Sequence, residues 1–247
     1  MITTYHRPQT LDEALALLAR PNTLPLGGGT LLSKPSVDPV EVVDLQALGL
    51  NSINKKGNDI EIGATATLQG LFESKDCPDA LKVAIKFEAP LNIRNSATVA
   101  GTLVASDGRS TFTTAMLALD AKLEIRSSKK DSRSVNIGEY LLTHPRGLIT
   151  SVIIRLQKFA FESVSRTPAD KPIVCAALAQ WTSGRTRLAL GGYGKNPLLA
   201  MDGTEAEGLE TAAHNAYHEA NDDWASAEYR MDIAAILAKR CLDGITK

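Results

Sequence analysis

Three successive glycines follow a short apolar stretch in Leu24-Pro25-Leu26-Gly27-Gly28-Gly29-Thr30. Glycine has no β-carbon, so such a turn accepts left-handed backbone angles and lets a bulky ligand approach closely. Successive amides in a turn form a concave, partly positive nest that suits a phosphate. A second loop, Ile93-Arg94-Asn95-Ser96-Ala97-Thr98-Val99-Ala100-Gly101-Thr102, offers the same opportunity. Two main-chain cradles of this kind could grip the two halves of a dinucleotide.

Neither loop fits the commoner nucleotide fingerprints. Counting from Gly27, the third glycine of a G-x-G-x-x-G pattern falls on Leu32, and Gly194-Lys195 is followed by Asn196 where a phosphate-binding P-loop needs Ser or Thr. Metal chemistry is not predicted. Cys77, Cys175 and Cys241 are too few for the four thiolates of an iron–sulfur cluster. Their odd number and wide spacing point to a reducing compartment and away from a disulfide framework. His214 and His218 have helical spacing, but Asn215 stands where an H-E-x-x-H zinc motif needs Glu. A net charge of −1 gives no global field for nucleic acid. No apolar run approaches the roughly eighteen residues of a membrane helix. Met1–Pro8 lacks the apolar centre of a signal peptide. A cytoplasmic protein is expected.

The 247 residues, 44% of them hydrophobic and 22% charged, suit one large or two smaller globular domains. Thr10-Leu11-Asp12-Glu13 reads as a capping box before a helix that runs to about Leu18. Thr23–Leu26 and 41–45 read as strands, and 59–64 alternates polar and apolar as a strand should. Gly57-Asn58 marks a turn before it. Residues 67–74, 78–87 and 113–119 read as helices, and 97–104 as mixed strand and turn. Strands are predicted at 121–126 and 148–156. Two more, 173–181 and 185–190, are joined at Thr182-Ser183-Gly184 and run into Gly191-Gly192-Tyr193-Gly194. Helices over about 204–220 and 226–242 close the chain. This irregular alternation predicts an α+β protein rather than a doubly wound parallel sheet.

The landmarks carry a family resemblance. Gly27-Gly28-Gly29-Thr30-Leu31 resembles the A-G-G-T-D-L loop of the FAD-binding medium subunits of molybdenum hydroxylases, the flavoprotein subunits of the carbon monoxide dehydrogenase and xanthine dehydrogenase type. Residues 93–102 resemble that family's I-R-N-x-A-T-x-G-G-N segment, and Met116-Leu117-Ala118-Leu119-Asp120-Ala121 its A-L-L-A-L-D-A segment. Leu190-Gly191-Gly192 and Ser226-Ala227-Glu228-Tyr229-Arg230, similar to a C-terminal S-x-E-Y-R-R motif, follow in family order.

The resemblance implies an FAD-binding domain of two α/β subdomains, of the vanillyl-alcohol-oxidase or PCMH type, then a small C-terminal α/β domain with an antiparallel sheet and helices. The expected boundaries are 1–157, with subdomains at about 1–55 and 56–157, and 158–247. It implies an FAD cofactor. It also implies electron transfer within a heterotrimer that contains a large molybdenum-cofactor subunit and a small [2Fe–2S] subunit, with NAD+, a quinone or oxygen as acceptor. Gly27, Gly28, Gly29, Thr30 and Leu31 would cradle the pyrophosphate. Thr98, Gly101, Thr102 and Asp107 would complete the cleft, Leu148 or Ile149 would touch adenine, and Tyr193 would lie beside the isoalloxazine. No catalytic acid, base or metal is implied, because the flavin carries the redox chemistry.

Leu31 stands where the family has aspartate and Thr102 where it has asparagine, and four further departures stand out. Ala100 replaces a glycine. Thr111 replaces the second acid of A-S/D-P-x-x-D, while Asp107 keeps the earlier position. Arg109 adds a charge that a pyrophosphate could attract. Phe161-Glu162-Ser163 stands where the family has Tyr-x-Lys. These changes keep a second outcome open, a flavin-free assembly subunit. A self-sufficient flavin oxidase would need a large additional substrate domain.

Overall fold

The computed structural model describes residues 1–33, 37–167 and 169–246. The chain divides into two compact units, each assembled from three stretches. The first unit holds residues 1–74, 91–105 and 122–153. The second holds 75–90, 106–121 and 154–247.

The first unit opens with β1 (Ile2–His6), α1 (Leu11–Leu18), β2 (Thr23–Leu26) and β3 (Val40–Asp44). The strands form a parallel sheet in the order β1-β3-β2. Helix α1 starts at the predicted cap, where the Thr10 hydroxyl accepts the Glu13 amide at 3.3 Å. The Glu13 carboxylate accepts the Gln9 amide at 3.1 Å, one residue ahead of the cap that a strict capping box would close. Ala14 and Leu15 of α1 are buried with Val43, Leu45 and Leu148.

The same unit continues through β4 (Ile53–Lys56), β5 (Asp59–Gly63) and α2 (Leu68–Glu73). Helix α3 (Asp79–Glu88) belongs to the second unit. The chain returns for α4 (Leu91–Arg94) and α5 (Val99–Val104), leaves for α6 (Thr111–Ala118), and returns for β6 (Lys122–Arg126), β7 (Ser132–Asn136), α7 (Ile137–Thr143) and β8 (Leu148–Arg155). Strands β4-β5-β8-β6-β7 form a second sheet in that order. The alternation seen in sequence is its burial pattern: Ile60, Ile62, Leu123 and Ile125 are buried.

In the second unit, β9 (Lys158–Val164), β10 (Val174–Gln180), β11 (Thr186–Gly191) and β12 (Leu198–Gly203) make an antiparallel sheet in the order β12-β11-β10-β9. Helices α8 (Leu209–Asn215) and α9 (Ala227–Thr246) pack with Ala176, Leu178, Leu188 and Leu190. The opposite register faces α6: Cys175 Sγ lies 3.8 Å from Thr114 Oγ1, and Arg187 donates to the Leu117 carbonyl at 3.1 Å. Cover on both faces explains why β10 is buried from Val174 to Ala179 and reads as a continuous apolar run.

Arginines bind the second unit together. Arg187, 5% exposed, reaches Asp202 at 2.6 Å and Asp120 at 3.4 Å. Arg230 is fully buried at the start of α9. It donates to the carbonyls of Ala225 at 2.8 Å and Ala220 at 2.5 Å, and to Asp222 at 2.7 Å. The acid missing at Thr111 has a substitute from another helix. The Glu88 carboxylate, at the end of α3, accepts the Phe112 amide at 2.9 Å and the Ser110 hydroxyl at 2.8 Å, so negative charge still meets the first turn of α6.

Candidate cofactor site

Strand β2 delivers the triple glycine. The Leu26 carbonyl accepts the Leu45 amide at 3.1 Å, and the chain then leaves the sheet. Among the described residues, the amides of Gly27, Gly28, Gly29 and Thr30 meet no hydrogen-bond acceptor. Gly29 is left-handed, with φ 71°. At Gly28 the need for glycine is steric: a β-carbon there would sit 1.6 Å from the Ser96 carbonyl oxygen. At Gly27 it would sit 2.8 Å from Thr98 Oγ1. The two loops picked out in the sequence therefore press against each other.

They contribute differently. The second loop folds into α5, capped by Thr98, whose hydroxyl accepts the Gly101 amide at 3.1 Å. The Val99 amide donates to Ala66 at 2.8 Å, Ala100 to Ala64 at 3.2 Å and Thr102 to Thr98 at 2.8 Å. Every amide from Val99 to Thr102 is thus spent within the protein. The expected second cradle of bare amides is absent from these residues, because the segment is a helix tied to the end of β5. Its task is to buttress the first loop. Ala100 sits in this helix, so its place needs no left-handed backbone and alanine fits it.

The glycine loop opens on a cavity of about 310 Å³. Gly27, Gly28, Gly29, Thr30 and Leu31 line it, and so do Thr98 and Gly101. Leu148 and Ile149, at the start of β8, form another wall. Thr102 does not line it, and its hydroxyl donates to the Thr98 carbonyl at 2.8 Å. Among the described residues the lining carries no Lys, Arg, Asp or Glu. An anion held there would be met by main-chain dipoles, with apolar walls for the rest of a ligand.

Asp107 and Tyr193 belong to the second unit. Asp107 accepts the Arg109 amide at 2.9 Å and lies 3.7 Å from the Lys171 ammonium. Tyr193 donates to the Glu219 carbonyl at 3.3 Å, and the Arg230 guanidinium lies 5.0 Å from its ring centre. Gly108 holds these loops together. Its amide donates to the Gly194 carbonyl at 3.1 Å, its carbonyl accepts the Gly192 amide at 2.8 Å, and a β-carbon on it would strike the Tyr193 carbonyl oxygen at 2.0 Å. Arg109, a candidate pyrophosphate partner by sequence, stacks at 4.1 Å on Trp224 and points at the carbonyls of Lys171 and Pro172.

Sequence reasoning missed Leu24, Val104 and Tyr140 in the cavity wall. Leu24 lies on a short strand, Val104 in a segment that reads as mixed strand and turn, and Tyr140 on a helix that the sequence pattern does not mark, so nothing local shows them facing a ligand.

Residues 1–155 match the family model described as the FAD binding domain in molybdopterin dehydrogenase. The chain belongs to this family. Its cofactor is FAD, and it is an oxidoreductase subunit of the molybdenum hydroxylase type. Among its relatives, the uncharacterized protein YgfM of Escherichia coli K12 is 29% identical over 247 residues, covering 96% of this chain and 94% of the relative. The carbon monoxide dehydrogenase medium chain of Afipia carboxidovorans is 25% identical over 276 residues, covering 97% and 95%. In fold, the chain superposes on one from the carbon monoxide dehydrogenase of Hydrogenophaga pseudoflava with a TM-score of 0.84 at 21% identity, over 100% of this chain and 98% of that one. The α+β expectation, with an antiparallel C-terminal sheet, holds. The residues present fit a dinucleotide: unpaired glycine amides face a cavity whose other walls are mainly apolar, with Thr65, Thr98 and Tyr140 among them. Among the described residues, no helix is long and apolar enough to cross a membrane.

Proposed function

We propose that this chain is the FAD-carrying electron-transfer subunit of a molybdenum hydroxylase complex. It receives electrons from the [2Fe–2S] clusters of a small partner subunit, which draws them from a large molybdenum-cofactor subunit. It passes them to NAD+, a quinone or oxygen. The observation that carries this reading is the row of unpaired amides from Gly27 to Thr30 on the cavity.

When bound, FAD supplies the redox chemistry. The chain's own work is to hold it. The Gly27–Thr30 amides bind the pyrophosphate in place of basic side chains, and Thr98 fixes the loop behind them. Leu148 and Ile149 would shield an adenine ring held in the cavity from water. Burial behind apolar walls strengthens each amide–phosphate contact, because the local dielectric is low.

Absorbance of the purified full-length chain and cofactor extraction test this reading. A yellow protein that bleaches on reduction and releases FAD stoichiometrically supports it. A colourless protein that ignores added FAD overturns it and leaves the assembly subunit. Gly28→Ala serves as the site-specific control. The methyl collides with the Ser96 carbonyl, so the loops must part, and FAD affinity is expected to fall by at least about tenfold with a stability loss of about 1–3 kcal/mol.

A further inference from the structure

Tyr140 lies on α7 and forms part of the wall of the same cavity as the glycine loop, Leu148 and Ile149. The residue is 7% exposed. Its hydroxyl makes no hydrogen bond to any described residue, and it is not among the fully buried polar atoms left without a partner, so it keeps access to open space. A ligand that fills the cavity and covers this hydroxyl has to give it a partner, since leaving it bare would cost its lost hydration. Neighbouring walls offer Val104, Leu148 and Ile149, which cannot supply one. They are equally unable to satisfy the nitrogen-bearing edge of a heteroaromatic ring. Each side lacks what the other has.

We infer that the Tyr140 hydroxyl is a cofactor-binding group, which hydrogen-bonds a heteroaromatic ring edge of the dinucleotide inside this cavity. The inference rests on the reading that the cavity takes FAD, and adds a tyrosine hydroxyl to a site otherwise built from main chain, threonines and apolar groups. Both FAD ring systems, adenine and isoalloxazine, carry such an edge. Burial pushes the Tyr140 pKa up, so the hydroxyl stays a protonated donor throughout the neutral range.

The test compares the full-length wild-type chain with Tyr140→Phe, stripped of cofactor, by calorimetric titration with FAD, FMN and ADP. Loss of one hydrogen bond is expected to weaken FAD binding about three- to tenfold. If ADP weakens alongside FAD and FMN does not, the partner is adenine; the reverse places it on the isoalloxazine. Both outcomes support the proposal. Unchanged FAD affinity overturns it, while FAD binding by the wild type keeps the cavity reading intact. A wild-type chain that takes no FAD overturns both. Melting of the cofactor-free proteins supplies a second readout. A hydroxyl without a protein partner can be removed freely, so Tyr140→Phe should melt no lower than wild type. A clear drop would mean that the protein itself uses the hydroxyl, and would sink the proposal.

Discussion

Ala100 shows how a residue that breaks a family pattern can still obey its surroundings. It stands where the family has glycine, yet the structure puts it in the first turn of α5 with its amide on the Ala64 carbonyl. Glycine in a helix costs about 0.5–1 kcal/mol relative to alanine. Restoring the family residue with Ala100→Gly should therefore lower stability by about that amount in chemical denaturation, with FAD affinity unchanged. A gain in affinity would show that alanine was restricting the site. Thr111 follows the same logic, since Glu88 brings its carboxylate to the amide of Phe112 from a helix more than twenty residues earlier in the chain. The triple glycine was legible as a cradle because its chemistry is local. That Gly28 must clear the Ser96 carbonyl, and that Val99 and Ala100 donate to Ala66 and Ala64, depends on chain segments far apart in sequence. No inspection of either loop alone reveals it.

At the scale of elements, strong periodicity was readable. β2 spans Thr23–Leu26 as expected, and β5, α3, β6 and β8 fall within a residue or two of their predicted ends. Residues 97–104 were harder, because Thr-Val-Ala-Gly mixes β-branched residues with glycine. The helix there is decided by the Thr98 cap and by packing on β5, which override weak propensity. Edge strands β1, β9 and β12 escaped notice, since they are short or lack clean alternation. Helix α9 depends on one side chain, Arg230 of the motif-like segment Ser226–Arg230, whose partners the sequence does not show. Arg230 holds the carbonyls of Ala220 and Ala225 together with Asp222. Arg230→Met would strand these acceptors, and Arg230→Lys could not span them with a single ammonium. Each is expected to cost about 3–5 kcal/mol in denaturant unfolding. A loss below about 1 kcal/mol in both would show that water substitutes for the guanidinium.

For the whole molecule, acid should be a sharper stress than base. Arg185 grips Asp202 with two hydrogen bonds, at 2.9 and 2.8 Å, and Arg187 adds a third at 2.6 Å. The Arg185 hydrogen bonds come first among the causes that hold the Asp202 carboxyl below its ordinary pKa. A carboxylate depressed in the folded state stabilises the fold above its unfolded pKa of about 4. That contribution disappears as pH falls through the lower folded value. Asp202→Asn is therefore expected to be less stable than wild type at pH 7, with the difference shrinking in thermal melts as pH drops below about 4. A difference that persists at low pH would mean the carboxylate's charge is not what matters.

The interleaved division of the chain has a consequence for biosynthesis. Helix α6 is buried along its entire length, Thr111 to Ala118, and strands β10 and β11 supply much of its cover. Those strands leave the ribosome well after it. A nascent protein must keep an oily helix waiting until its lid is translated, and a clone cut after residue 155, at the end of the FAD-binding family match, would keep it waiting for good.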